Sequence, residues 1–509
     1  MKPIFRRWFQ KGKARIDRRL DQTRNPLSPE PVLKARNIHY EVSDKAQAIH
    51  CGGIGLIHAL GQRFGLAKTI DQKLHLLKFH VPYHESDHVL TLAYNPLCGG
   101  TCLQDLELLR NDETFLNALD ARRIPDPTTA GDFCRRFLAS DVEALIDAIN
   151  EVRRRVWAEQ PESFFDCATI DLDGTLVGTT GQCKEGMDIA YDGTWGYHPL
   201  VVSLAETGEV LSIVNRPGNR PSHEGAAREV NRSLVLCLEA GFRTVLLRGD
   251  TDFSQTQYLD GWNAIRKTRF IFGYDAVPTL VRKAEELPDH AWRRLTRPAR
   301  YHVNTQPRRT PENVKARIVT EREYETLRLD SEDIAEFEYQ PTACRQKYRM
   351  VVIRKNITRA KGEAALFDDV RYFFYITNER EWSADAIVFS ANDRCHQENL
   401  HAQLKSGVRA LRAPVDTLES NWAYMVMTAL GWNVKAWWAL SLPEPPGRWR
   451  DKYRQEKRWV LGLEFRSFVH AFVGLPCQVL RTGRKLVYRL LSWNPHLRVF
   501  FRLVETLNC

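Results

Sequence analysis

At Phe164 the hydrophobic pattern of the chain changes period, and that change constrains the fold more than any other feature. From about Gly52 to Gln160 the apolar residues recur at helical spacing. Ile54, Leu56, Ile57, Leu60 and Phe64 form one stripe, and Val142, Leu145, Ile146, Ile149, Val152 and Val156 form another. From Phe164 onward the pattern is that of strands. Phe164–Asp173 is an apolar run with acids at its exit, and His198–Leu204 is a second strand. The turn Glu206-Thr-Gly208 leads into Glu209–Asn215 and closes an antiparallel hairpin. A helix follows from Ser222 to Ala240, then a fourth strand, Phe242–Leu247, running into Gly249-Asp250. A helix over Ser254–Lys267 and a fifth strand, Arg269–Gly273, complete the series. Three antiparallel strands, helix, strand, helix, strand describe an α/β mixed sheet with helices on its faces, not an alternating doubly wound array.

The residues on either side of this core divide the chain further. A basic arm, 1–36, precedes a helical domain, 50–160, whose exposed Arg135 and Arg136 make it a candidate duplex-binding module. The mixed-sheet core occupies 161–280 and is interrupted over 281–380 by a β-rich insertion, with alternating runs at 314–323, 324–329, 335–339, 348–355 and 372–377. The core resumes over 381–442, from the capped start Ser383-Ala-Asp385 to the apolar helix Thr417–Trp438. A basic, aromatic tail over 447–509 ends the chain.

Charge and cysteine usage narrow the partners. The formal net charge is +10, and the excess sits at the ends: eleven Lys/Arg against three acids in 1–36, thirteen against four in 447–509. Basic ends on a near-neutral middle suit a polyanion, nucleic acid first. Eleven cysteines without a C-x-x-C pair argue against a disulfide framework and a zinc ribbon. No apolar run reaches the roughly 18 residues of a membrane span, and Met1–Gln10 lacks the apolar centre of a signal peptide. Reduced thiols and no membrane point to the cytoplasm.

The chemistry-bearing candidates are acids far apart in the chain. Asp173 ends the first strand and Asp250 the fourth, and two strand ends that lie side by side can aim both carboxylates at a common cation. Within Asn392–Lys405, read as one helix, Arg394, Glu398, His401 and Lys405 fall at relative positions 0, 4, 7 and 11 and share a face. A carboxylate flanked by cations at these spacings suits a site that holds a divalent cation and a phosphate together. Three carboxylates with few His or Cys neighbours favour Mg²⁺ or Mn²⁺ over zinc, and two such ions suit phosphodiester chemistry.

Three blocks carry a family resemblance: Ile170-Asp-Leu-Asp-Gly-Thr175, Leu247-Arg-Gly-Asp-Thr-Asp-Phe253, and Arg394-x3-Glu398-x6-Lys405. The chain resembles the DDE transposases of bacterial insertion sequences, in the branch with a β-rich insertion before the catalytic Glu and a Y-x2-R-x3-E-x6-K block. The resemblance covers roughly 50–480. It implies a ribonuclease-H-like catalytic domain and metal-dependent cleavage and strand transfer at the ends of a mobile element. It also implies catalytic and metal-binding roles for Asp173, Asp250 and Glu398, phosphate contacts from Arg394 and Lys405, and a homodimer on double-stranded DNA. One departure stands out: the Tyr position of the block holds Ala391. Asp171 and Asp173 both compete for the first acid, and the Asp-x-Thr form favours Asp173. Two other readings remain. Asp171-Leu-Asp-Gly-Thr-Leu176 also spells a haloacid-dehalogenase phosphatase motif with Asp171 as nucleophile and Asp173 as acid. A catalytically inactive DNA-binding relative of a transposase is the third.

Overall fold

The helical periodicity before Phe164 and the strand periodicity after it both resolve into structure in the computed structural model. It describes residues 3–22, 40, 47–80, 82–297, 318, 322, 325–361, 364–483 and 485–507. They divide into two compact units. One holds Met1–Phe164, Thr175–Arg220 and Glu398–Cys509, and the other Phe165–Gly174 and Pro221–Gln397.

The first unit is mainly helical. Its spine is Leu418–Leu440, whose side chains are buried almost without exception from Ser420 onward. Thr417 starts it by accepting from Ser420 N–H, a cap that fixes the register of the whole element. The helices Glu85–Leu97 and Ala139–Ala158 pack along it, the latter through the Val142–Val156 stripe. The hairpin Leu200–Leu204/Glu209–Val214 belongs here, its second strand against the spine. A three-stranded sheet joins Val177–Gly178, Trp195–Tyr197 and Asp188–Ile189. Gly196 is required there, because a Cβ would lie 2.1 Å from the Val177 carbonyl oxygen.

The basic ends differ from the arm and tail expected of them. Pro3–Gln22 is a helix, and the rest of the arm lies outside the described residues. The described residues of 447–509 are folded: Arg450–Leu461, the hairpin Cys477–Thr482/Lys485–Leu490 and Leu497–Thr506 form regular elements, and Ala48–Ile49 pairs with Cys477–Thr482. The physical reason is the apolar content of the segment, with Phe465, Phe468, Phe472, Val473 and Cys477 all buried. Trp459 packs on Phe472 and His496 as part of that small core.

The second unit is a mixed sheet. Cys167–Gly174, Thr244–Gly249 and Thr268–Tyr274 run parallel, Asp171 opposite Arg248 and Leu247 opposite Phe270. On the far side of Thr268–Tyr274 the insertion continues the same sheet antiparallel: Ala364–Thr377, Tyr348–Lys361, Glu325–Tyr339 and Arg293–Arg294. The runs expected separately at 324–329 and 335–339 are one strand with a register shift between Leu329 and Ser331, whereas the run at 314–323 lies almost wholly outside the described residues. Successive residues of Thr268–Tyr274 face opposite ways. Ile271 packs with Ile387 and Val388 of the helix Ala384–Asp393, while Phe272 meets Trp262 of Thr256–Ala264. The sheet thus carries helices on both faces. In chain order, three strands, helix, strand, helix, strand with a β-rich insertion is the ribonuclease-H-like plan expected from the sequence. Among the described residues no helix is long and apolar enough to cross a membrane.

Candidate active site

The parallel register ends with Asp171 opposite Arg248; Asp173 lies two residues further along its strand, and Asp250 directly follows the neighbouring one. Residues two apart in a strand share a face, so Asp171 and Asp173 begin on the same side. Their neighbours separate them. Asp171 is 2% exposed, and Arg248 Nε and Nη2 donate to its two oxygens at 2.7 and 2.8 Å. Arg248 Nη1 also donates to Ser390 O, and Gln397 Nε2 to Asp171 O, which docks the late helical segment on this strand. Asp173 emerges at the strand end, half-buried.

There the two aspartates share one cation. Arg394 Nη1 is 3.4 Å from Asp173 Oδ2, and its Nη2 is 3.7 Å from Asp250 Oδ2. Asp250 caps the short turn Thr251–Phe253 by accepting from Asp252 N–H at 3.0 Å. Burial pushes its carboxyl above the usual carboxylate range, Arg394 pulls it down, and the charge on Asp252 raises it further. Gly273 makes room for this turn, since a Cβ would stand 2.8 Å from Thr251 N. Beside Asp250 and Arg394 opens a cavity of about 330 Å³, with Tyr372 and Tyr375 of the insertion on one wall and Ala391 on another. Tyr375 is one of several cavity-lining aromatics that motif reading missed. It comes from a strand distant in sequence, it lines the same cavity as Ala391, and burial raises its hydroxyl's pKa, with Arg297 and then Arg394 opposing.

The late segment is not the single helix expected. Ala384–Asp393 ends with Arg394 as its C-cap, a new helix runs Cys395–Ala402, and Gln403–Gly407 is a π turn closed by Val408 N–H to Gln403 O at 2.9 Å. Arg394, Glu398, His401 and Lys405 therefore do not lie on one regular 3.6-residue face. Glu398 is exposed in the first turn of its helix, His401 is buried, and Lys405 sits half-buried in the π turn. Asp173, Asp250 and Arg394 come together within one compact unit, while Glu398 and Lys405 belong to the other. Among the described residues no group of three or more His, Cys, Asp or Glu side chains is set to hold a metal ion. The donor chemistry of the aspartate pair nevertheless fits a divalent cation. Two carboxylates already gather on one positive group, and oxygen is what Mg²⁺ and Mn²⁺ prefer.

The acid pair thus stands at the ends of parallel strands on a mixed sheet continued by a β-rich insertion, and comparison by sequence places that architecture in a family. The family model described as Transposase DDE domain group 1 matches residues 32–449, and the chain belongs to that family. No curated protein matches it. Among solved structures it is similar to a piggyBac transposase synaptic complex with hairpin DNA, determined by cryo-EM, at 11% identity over 84% of this chain and 83% of that one, with a TM-score of 0.34.

Proposed function

We propose that this chain is a DNA transposase of a bacterial insertion sequence, cutting and joining strands at the element's ends with Asp173, Asp250 and Glu398 as its acid triad. The observation that carries the reading is the convergence of Asp173 and Asp250 on the Arg394 guanidinium. The two acids belong to strands that the chain order separates, and a shared cation is the simplest use for both carboxylates. Asp171 is the weaker candidate for the first acid, since Arg248 occupies both of its oxygens. The same pairing weighs against the phosphatase reading, which needs Asp171 as an accessible nucleophile.

Asp173 and Asp250 would hold divalent metal with Glu398 as the third ligand, the ions being Mg²⁺ or Mn²⁺, two in number. Bound there, the ions would lower the pKa of an attacking water or 3′-hydroxyl and stabilise the leaving oxygen. Arg394 would release the aspartates to metal and turn to a phosphate flanking the scissile bond, with Lys405 on the neighbouring one. Two copies of the chain are proposed to hold the two DNA ends. The test is strand cleavage on an end-containing duplex with Mn²⁺, beside DNA binding in EDTA. Asp250→Asn and Glu398→Gln should each bring cleavage to background while leaving binding intact. Cleavage that survives Asp250→Asn overturns the reading, and survival of Glu398→Gln alone removes the third acid.

A further inference from the structure

The first unit contains a second cavity, of about 640 Å³, built by side chains to which the acid triad gives no role. Two arginines, Arg409 and Arg412, stand on its wall with Trp195 and Thr179. The local sequence explains why the arginines point outward. Val408, Ala410 and Leu411 are buried, Val408 N–H closes the π turn on Gln403 O, and Leu411 N–H donates to Leu404 O at 3.1 Å. Further on, Lys184 Nζ donates to Ala413 O, and Val415 N–H to Asn421 Oδ1 at 3.1 Å. With the backbone pinned at both ends and the apolar residues turned inward, Arg409 and Arg412 are left facing the cavity.

Two further features suggest a ligand. Arg409 has a φ of 57°, a left-handed conformation in which Gly or Asn is the ordinary choice, so the site keeps a guanidinium where a small residue would fit the backbone better. Among the described residues, neither Arg409 nor Arg412 pairs with a carboxylate. Trp195 is 41% exposed, at the start of the central strand of its small sheet. Its backbone is fixed, with Trp195 O accepting from Thr179 N–H at 3.0 Å. A fixed, half-open indole beside two unneutralised guanidinium groups is the pattern by which proteins hold unpaired nucleotides: cations on the phosphates, a ring face for the base. The volume lies in the range of ligand-sized pockets.

We propose that this cavity binds an unpaired stretch of DNA, its phosphates on Arg409 and Arg412 and one base stacked on Trp195. The inference rests on the transposase reading for why DNA is the partner, but it concerns binding alone and lies outside the aspartate pair. The test is fluorescence anisotropy of a labelled oligothymidylate against a duplex of the same length, in EDTA, across a salt series. Arg409→Asn with Arg412→Gln should weaken single-strand binding about tenfold or more. It should also flatten the slope of log affinity against log salt by about 1.4, at about 0.7 per phosphate contact on single strands. Trp195→Ala should cost roughly tenfold on single strands, with Trp195→Phe recovering most of it. Duplex affinity should stay within about twofold for all of these variants, and their melting temperatures report that they fold.

Single-strand affinity and slope unchanged in the arginine variant overturn the proposal. An equal loss on duplex and single strand overturns the assignment to unpaired DNA. Asp250→Asn, run alongside, should bind oligothymidylate like the parent. Because no metal is present, failure of strand cleavage and failure of this site are read in separate experiments.

Discussion

Asp171 lies in the sheet and Asp250 just past the end of the neighbouring strand, and their environments assign the two carboxylates opposite effects on stability. Asp171 and Arg248 form a buried, two-point ion pair between neighbouring strands. Truncating Asp171 takes away the carboxylate that both Arg248 Nε and Nη2 bond, a loss of about 3–5 kcal/mol. Asp171→Ala should therefore lower the urea midpoint sharply, and a variant that unfolds like the parent would show the pair to be dispensable. Asp250 is the reverse case. Burial lifts its carboxyl above the ordinary value, so the folded state holds the proton more tightly than the unfolded chain does. The charged form then costs stability above the folded pKa, and the cost fades as pH falls through it. Asp250→Asn, which keeps an acceptor for Asp252 N–H, should raise the melting temperature in EDTA near neutral pH by about 2–4 °C per kcal/mol relieved. The gain should shrink in acid, and a variant no more stable than the parent at neutral pH would refute the strain.

At the scale of elements, what was legible in the sequence was whatever repeats locally. The Val142–Val156 stripe became the buried face of Ala139–Ala158, and the strand-helix order after Phe164 became the mixed sheet, because burial selects those periods wherever a core forms. The break at Arg394 and the π turn at Gln403–Gly407 were not legible. A 3.6-residue spacing runs on through such points, and what decides them is docking that local sequence does not encode: Arg248 on Ser390 O, and Gln403 Oε1 accepting from Phe465 N–H. The meeting of Asp173 with Asp250 was foreseeable from strand ends; that Arg394 would bridge them was not, since its motif spacing pointed it at phosphate. The long helix Leu418–Leu440 hides another residue of this kind. Lys435 is 2% exposed, donates from Nζ to Leu461 O at 2.8 Å, and burial brings its pKa down from 10.5 to about 7. Between those values the unfolded chain binds a proton that the folded one lacks, so stability gains with rising pH over that window, by at most about 1.4 kcal/mol per unit. Lys435→Met should remove that part of the slope. Thermal melts of both proteins between pH 7 and 10 that run parallel would refute it.

At the scale of the molecule, one buried acid ties the first unit together, and its role was invisible in sequence because its partners are remote. Glu209 has no exposed surface. Its Oε1 accepts from Arg153 Nε at 3.0 Å and Trp437 Nε1 at 2.8 Å; its Oε2 accepts from Trp157 Nε1 at 2.9 Å and Thr207 Oγ1 at 2.8 Å. Those donors lie on Ala139–Ala158, on the turn before the hairpin's second strand and on Leu418–Leu440, up to 228 residues away. The hairpin closes the β-strand series at the start of the core, and the long helix follows the insertion. A single carboxylate thus joins stretches of chain between which the whole insertion is looped out. Polar groups sealed from water must all be satisfied at once, so the network specifies how these elements meet as well as how strongly. Glu209→Ala removes the one carboxylate that four buried donors share, and should cost about 3–5 kcal/mol in urea unfolding. Replacing both charges, Arg153→Met with Glu209→Leu, should recover much of that loss, because an apolar pair leaves no buried charge without a partner. If the double variant is as unstable as Glu209→Ala, the indole hydrogen bonds outweigh the ion pair. If Glu209→Ala unfolds at the parent's midpoint, the carboxylate does not hold these elements together.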